Sequence, residues 1–474
     1  MRLMLSHLKW QHDMKENACL DARRTAWKVL VPFASAAKIL AMGFGGVELD
    51  SLSRCFQNID TSPSKDSYDM LVLGEELNGN AAINGLIAKM KQGGLLVALN
   101  IKKDYKEIVN KELKCVGEYA CLPSRCPRII LPLGSKGMRK YGLSFHSPGS
   151  FKKKISLWLA QGLSAIGVTA HLRKKTVSFY THNGQLNRQG TIKEWISQRA
   201  GFPIDDVVIY TGSDSPASKT TLLGLSSDCQ HKIVARVAET DIAVASLHRE
   251  VKALKELAST PLSDFVPTLI DIGKLPPYEI QLQSCLPKSN GQYPKLSAAH
   301  IRFLSILSEI NREDIPFCQL RAWGNVDYAL KSSGHNSLPA SLQKVITWLQ
   351  GRDIQEIVTC HMIHGDFAPW NIIYRDKSIY VYDWEDSVPN GVPFEDLFHF
   401  IYRQASLVGP WPGAVPLFEI MINAARTLNQ KTAIKFNLNA AFALWCLGEY
   451  RKNPTPLLLE LIGEFARKID EEST

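Results

Sequence analysis

The ten cysteines of this sequence include no CxxC pair and no cysteine–histidine spacing of the kind that holds zinc; Cys121 and Cys126 are the closest together. That excludes a zinc finger or ribbon and a dithiol redox motif. It leaves scattered thiols expected to be reduced and mostly buried, in keeping with a cytoplasmic location. Long apolar runs are also missing. The longest, Trp27 to Val47, is broken by Lys28, Pro32 and Lys38, so a membrane span is not expected. No compact apolar core followed by a small-residue cleavage site marks the N-terminus, as a signal peptide would require. The excess of one charge is small as well: 55 Lys and Arg stand against 46 Asp and Glu, and the net +9 is spread along the chain. It implies no nucleic-acid partner. Anionic small partners such as nucleotides or phosphorylated intermediates, or an acidic membrane surface, remain compatible.

The 474 residues are 45% hydrophobic, enough for more than one core, since single cores stop growing at roughly 250–300 residues. Residues 36–120 alternate short apolar runs with polar helical patterns, which predicts a small α/β layer with strands near Ala37–Met42, Tyr68–Gly74 and Leu95–Ile101. The first strand runs into Gly43, Gly45 and Gly46, a turn that lets backbone amides approach a ligand or simply joins a strand to a helix. This turn, with Tyr68-Asp69-Met70-Leu71-Val72-Leu73-Gly74 and Lys91-Gln92-Gly93-Gly94-Leu95-Leu96-Val97, resembles parts of class I S-adenosylmethionine-dependent methyltransferases. The resemblance implies a Rossmann-like domain over residues 1–120. Only about twenty residues separate the glycines from Tyr68, where that fold fits two βα units of about thirty residues each. The region is therefore read as degenerate, without a methyl-donor site.

Residues 121–190 read as a connecting and docking segment. The proline-rich, apolar stretch Leu122 to Leu133 is expected to pack in extended form. Phe151 to Leu163 sets Lys152, Lys153 and Lys154 beside Ile155, Leu157, Trp158 and Leu159, an amphipathic pattern open to peripheral membrane contact or to ordinary helix packing. From about Ile192 the pattern changes. A helix around Trp195 precedes β-rich runs at Asp206–Tyr210, Thr220–Leu225 and Lys232–Ala238, a long amphipathic helix from Ile242 to Leu257, and a strand over Tyr278–Leu286. The remainder is mostly helical, apart from residues 363–384. A small β-rich lobe over 191–290 and a large helical lobe over 291–474 form an arrangement that can hold ATP in a cleft.

The segment His364-Gly365-Asp366-Phe367-Ala368-Pro369-Trp370-Asn371 is followed by apolar Ile372-Ile373-Tyr374 and then by Ile379-Tyr380-Val381-Tyr382-Asp383-Trp384-Glu385. Phosphoryl transfer needs a carboxylate to orient the attacking hydroxyl, an oxygen ligand for a metal nearby, and a second carboxylate joining metal to phosphates. All three occur here in order. A short hairpin between Asn371 and Asp383 would return the second carboxylate to the side of the first. Singly, each has a plainer role: His364 a core histidine, Asp366 a turn acid, Asn371 a cap and Asp383 the end of a strand.

HGDxxxxN followed by an apolar-DWE run closely resembles the catalytic and metal-binding loops of aminoglycoside phosphotransferases, choline kinases and related small-molecule kinases. The resemblance implies an α+β, bilobal protein-kinase-like fold and the cofactors ATP and Mg2+. By position it makes Asp366 the catalytic base and Asn371 and Asp383 the metal ligands, with Glu385 supporting a second metal. His364 and Gly365 shape the loop. In Gly391-Val392-Pro393-Phe394-Glu395-Asp396-Leu397, Asp396 takes the place of an acid that braces the loop from behind.

Upstream, Tyr210 to Thr221 lies where the family has its phosphate-covering loop, which makes Ser213, Ser215 and Lys219 candidate phosphate contacts. Lys219-Thr220 does not complete a Walker A motif, because Ser218 replaces the glycine, the spacing is one too long and a strand follows. Glu250 matches the helix glutamate that pairs with the family's ATP-binding lysine. Arg236 stands at that lysine's place; it keeps the charge but has a different shape. Lys232, four residues earlier on the same strand face, would be roughly 13 Å away at about 3.3 Å per residue.

The resulting expectation is an ATP-dependent phosphotransferase acting on a hydroxyl of a small molecule: a sugar, an amino alcohol or a glycolipid intermediate. The backbone of Gln281–Leu286 would meet adenine, and Trp411 is a candidate for sugar stacking. Two alternatives stand beside it: a nucleotide-binding pseudokinase scaffold, motivated by Arg236, and a bifunctional methyltransferase-kinase.

Overall fold

Along the N-terminal strands successive side chains point to opposite faces, and both faces are apolar, the pattern of strands covered on both sides. Strands β1 (Ile39–Met42), β2 (Ile59–Asp60), β3 (Tyr68–Leu73) and β4 (Met90–Leu99) run parallel in the order β2-β1-β3-β4. Ile39, Met70, Val72, Leu95 and Val97 pack on one face with Trp27 and Leu52. Leu40, Leu71, Leu73, Leu96 and Ala98 pack on the other with Ile83, Tyr105 and Val109. The connecting helices are α1 (Gly46–Cys55), α2 (Asn80–Ile87) and α3 (Lys103–Glu112).

The computed structural model describes residues 23, 25–31, 37–77, 80–123, 127–145, 175–184, 190–212, 215, 217–287, 295–332, 338–375 and 377–473. The expected basic stretch Phe151 to Leu163 and Ser213 lie outside them. The chain divides into two units, Met1–Leu247 with Leu269–Leu286, and His248–Thr268 with Pro287–Thr474.

In the first unit the parallel strands continue into antiparallel β5 (Lys114–Leu122), β6 (Ile129–Pro132), β7 (Thr176–Thr181), β8 (Asp206–Tyr210), β9 (Thr220–Leu225), β10 (Lys232–Ala238), β11 (Leu269–Leu275) and β12 (Tyr278–Ser284). Together they make one twelve-stranded sheet in the order β11-β12-β10-β9-β8-β6-β5-β7-β4-β3-β1-β2. The segment expected to pack in extended form supplies β6, which pairs with β5 on one side and β8 on the other. Helices α4 (Lys136–Phe145) and α5 (Ile192–Ala200) belong to this unit. A small cleft opens at the carboxyl ends of β1, β3 and β4, lined by Phe44, Glu48, Glu75, Leu99 and Lys175 among others.

Helix α6 (Asp241–Leu257) carries the chain from one unit to the other. Its buried residues Ala243, Leu247, Glu250, Val251, Leu254 and Leu257 recur at helical spacing. The second unit is mainly helical: α7 (Ala298–Leu307), α8 (Trp323–Ser332), α9 (Ala340–Gln350), α10 (Glu395–Arg403), α11 (Ala414–Thr432), α12 (Leu438–Lys452) and α13 (Pro456–Ser473). Its strands β13 (Glu313–Pro316), β14 (Ile357–Ile363) and β17 (Val388–Gly391) form one small sheet, and β15 (Ile372–Arg375) with β16 (Ser378–Val381) forms a hairpin. Among the described residues no helix is long and apolar enough to cross a membrane.

Candidate active site

Buried strand β14 delivers the chain into the loop His364-Gly365-Asp366, and the carboxylate of Asp396 holds that loop in place. Asp396 sits in the first turn of α10 and is 3% exposed. Its Oδ2 accepts the amide of His364 at 2.7 Å and its Oδ1 accepts the amide of Gly365 at 2.9 Å. Gly365 has φ +83°, and a Cβ there would lie 2.1 Å from the carbonyl oxygen of Asp386, so no other residue fits without moving the chain. His364 is fully buried. Its Nε2 lies 3.0 Å from the carbonyl oxygen of Tyr382, and its Nδ1 faces the amide of Asp366 at 3.2 Å. The tautomer with the proton on Nε2 satisfies both. Phe367, also fully buried, packs against Phe303 and Phe400 with ring centroids 5.9 and 5.8 Å away, so it anchors the loop in the helical core.

The hairpin does what its length predicts. Ile372 pairs with Val381, and one step beyond that pair the amide of Tyr382 donates to the carbonyl of Asn371 at 3.1 Å. Asn371 is thereby brought opposite the residue next to Asp383. Asn371 Nδ2 donates to Asp366 Oδ2 at 2.8 Å and to the Asp366 carbonyl at 3.0 Å, which leaves its amide oxygen as the atom suited to a cation. Asp383 has φ +73° and ψ 58°, a left-handed conformation that costs free energy outside glycine and recurs at functional sites. Trp384 follows it, fully buried, with its indole N–H on the carbonyl of Val381 at 3.1 Å and its ring 4.6 Å from His364. Glu385 is half-buried, and its carbonyl accepts Arg249 Nε at 3.0 Å.

Asp366 itself is partly accessible, its side chain 33% exposed. Burial pushes its carboxyl upward, but hydrogen bonds from His399 and Asn371 and the charge of His399 hold it below the usual range. His399 was not expected from the sequence. It touches Asp366 Oδ1 through Nε2 at 2.9 Å, and its other ring nitrogen meets Glu449 on α12 at 3.1 Å. The position of His399 one turn after Asp396 on the same helix was readable in advance, whereas Glu449, fifty residues further along the chain, carried no local signal.

Oxygen donors from Asn371 and Asp383 suit a hard cation such as Mg2+, which usually takes one or two carboxylates together with substrate phosphates. Among the described residues no group of three His, Cys, Asp or Glu side chains could hold a metal ion by itself. A cation here would complete its shell with water or phosphate oxygens.

In the first unit, Lys219 is 7% exposed and its Nζ donates to Ser246 Oγ at 2.9 Å. Ser215 is exposed and caps a local turn, its Oγ accepting the amide of Ala217 at 3.2 Å. Arg236 is half-buried in the middle of the sheet, between Thr221 on β9 and Gln281 on β12. Lys232 is engaged elsewhere, with its Nζ 4.0 Å from the ring centroid of Tyr141. Glu250 is fully buried on α6, in the part of that helix belonging to the second unit.

No curated protein matches the chain. Among solved structures it is similar to a putative fructosamine-3-kinase from Haemophilus somnus 129PT, at 14% identity and a TM-score of 0.35, over 60% of this chain and 99% of that one. It is similar also to a thermostable mutant of aminoglycoside phosphotransferase APH(4)-Ia in ternary complex with ADP and hygromycin B. That match has 12% identity and a TM-score of 0.37, over 59% of this chain and 97% of that one. A third is amicoumacin kinase hAmiN in complex with AMP-PNP, Ca2+ and Ami, at 10% identity and a TM-score of 0.34, over 60% of this chain and 95% of that one. The family model described as phosphotransferase enzyme family matches residues 217–415, a span that takes in β9 to β12, the loop at Asp366, the hairpin and α10. The match is confined to these residues, fewer than half of the chain.

Proposed function

We propose that this protein transfers the γ-phosphoryl group of Mg-ATP to a hydroxyl of a small molecule, with Asp366 as the residue that orients that hydroxyl and accepts its proton. The observation that carries this reading is the hairpin register, in which Asn371 lies opposite Tyr382, the residue before Asp383, while Asn371 also holds Asp366. A loose phosphoryl-transfer transition state asks the protein mainly for positioning and charge stabilisation. Asn371 and Asp383 would hold the magnesium ion, with Glu385 supporting a second. The ion would supply neutralisation of the phosphate charge. In the first unit Arg236 is the candidate phosphate contact in place of the family lysine, with Lys219, Ser213 and Ser215 of the stretch Tyr210 to Thr221 as further candidates. The backbone of Gln281–Leu286 is the candidate adenine contact, in the segment where the chain leaves the first unit.

Residues 191–290 and 291–474 would be the two kinase lobes, residues 1–120 a degenerate methyltransferase-like layer and residues 121–190 the segment that joins them. Parallel order and two covered faces in β1 to β4 support the Rossmann-like reading of that layer. For the acceptor, a sugar or glycolipid intermediate fits best with an aromatic such as Trp411, whose ring stands 6.4 Å from Tyr402, edge to face.

The test is a panel of sugars, amino alcohols and glycolipids assayed for ATP-dependent phosphorylation by the wild type and Asp366→Asn. The substitution should cost orders of magnitude in turnover while ATP affinity changes little. Turnover unaffected by Asp366→Asn would sink the catalytic assignment. ATP binding without turnover across the whole panel would favour a scaffold.

A further inference from the structure

Behind Asp366 lies a chain of buried ionisable groups for which the catalytic loop alone gives no reason. His399 on α10 and Glu449 on α12 are each 3% exposed. His399 Nε2 is 2.9 Å from Asp366 Oδ1, and Nδ1 is 3.1 Å from Glu449 Oε1. The other oxygen of Glu449 takes Arg403 Nη2 at 3.0 Å, and Lys452 Nζ stands 3.9 Å from Oε1. Both ring nitrogens therefore face carboxylate oxygens, which only accept hydrogen bonds when ionised. A neutral imidazole has one N–H. It would leave one carboxylate against a lone pair, in a setting where unpaired buried charge is costly.

Arg403 and Lys452 keep Glu449 ionised, while Asn371 supports the charge on Asp366, so the proton belongs on the ring. Arg403 Nε–H also points at His399 Nε2 from 3.4 Å, a contact that a protonated Nε2 cannot accept and that is half an ångström longer than the one to Asp366. The single Nε2 proton goes to the nearer carboxylate, and Glu449 lies against both cations.

We propose that His399, held as an imidazolium between Glu449 and Asp366, is a positioning residue that fixes the orientation of Asp366 toward the acceptor hydroxyl. This deepens the kinase reading above and rests on it. With Oδ1 committed to His399 and one lone pair of Oδ2 to Asn371, the remaining lone pairs can meet the hydroxyl in only a narrow range of directions. The hydroxyl proton ends on Asp366, and the ring keeps both of its own.

The charge balance agrees. Burial acts against the charged form of His399, yet its bonds to Asp366 and Glu449 raise it above the ordinary histidine value. Burial also opposes ionisation of Glu449, yet His399, Arg403 and Lys452 hold it below the ordinary glutamate value. The remaining acids on α10 do not compete: burial pushes Glu395 upward, and Asp396 is committed to the two loop amides.

The experiment uses the full chain with labelled histidine nitrogens, in wild type, His399→Gln and Glu449→Gln. In the wild type at neutral pH the ring signal absent from His399→Gln should show both nitrogens protonated. In Glu449→Gln it should show one. His399→Gln should lower kcat by about a hundredfold, the scale of a small misplacement of a reacting group, with ATP affinity within about twofold. Glu449→Gln should lower kcat less, by about tenfold, since an acceptor remains but its charge does not. A neutral ring in the wild type overturns the proposal. So does wild-type kcat in His399→Gln when Asp366→Asn is inactive. If no acceptor is turned over by the wild type, the kinase reading falls, and the ring signal still decides whether His399 is held as an imidazolium.

Discussion

Replacing Asp396 by Asn tests how the loop at Asp366 is held. One buried carboxylate accepts two consecutive backbone amides, those of His364 and Gly365, at 2.7 and 2.9 Å. Hydrogen bonds to an ionised acceptor each contribute about 1.5–3 kcal/mol. Asn keeps one acceptor oxygen and turns an NH2 group toward the other amide, so at least one of the two bonds is lost. The loop has little room to compensate, since Gly365 is pressed against the carbonyl of Asp386. Because this chain forms two units, a single global unfolding energy is not well defined, and a local measurement is better. Hydrogen exchange at the amides of His364 and Gly365 should speed up by between about tenfold and about 150-fold, the same energies at 1.36 kcal/mol per decade. Phosphoryl transfer should fall with it. Asp396→Ala, which orphans both amides, should exchange faster still. Wild-type exchange at both amides in both variants would refute the bracing role.

Asn371→Ala and Asp383→Ala should each abolish magnesium-supported nucleotide binding, because the triphosphate charge must be neutralised by a metal held between them; thermal shift with and without Mg-ATP checks this. Arg236→Ala should weaken ATP binding and turnover together, whereas Arg236→Lys should retain or improve both, as read from matched nucleotide affinities and transfer rates. His300 gives a pH prediction: burial lowers it from 6.5 to about 4. The unfolded chain takes up a proton below about pH 6.5 while the folded one resists. The stabilisation is therefore complete above that pH and is lost as pH falls toward about 4. His300→Gln preserves the capping box with Ser297 and removes the titration, so it should lose about 2 kcal/mol less than wild type between about pH 7 and pH 5 in urea unfolding followed by a probe within the second unit.

Much of the site was legible because its parts are close in sequence. The loop from His364 to Asn371 and the return through Asp383 are joined by a hairpin whose length sets its register, and a period-2 apolar pattern flanked by turn residues needs no distant partner to be recognised. Strands Asp206–Tyr210, Thr220–Leu225 and Lys232–Ala238 and the long helix after them were readable for the same reason. Local pattern says nothing of which strand lies beside which. The docking stretch before Leu133 was seen to be extended, yet its place between β5 and β8 in a single twelve-stranded sheet depends on pairing across the chain. The same holds for the groups around Asp366. Sequence alone set out residue types of the kind phosphoryl transfer uses, in order along the chain. Only helix packing could decide that Glu449, on α12, would meet His399 behind Asp366, because a buried charge finds its partner by position in space and not by distance along the chain.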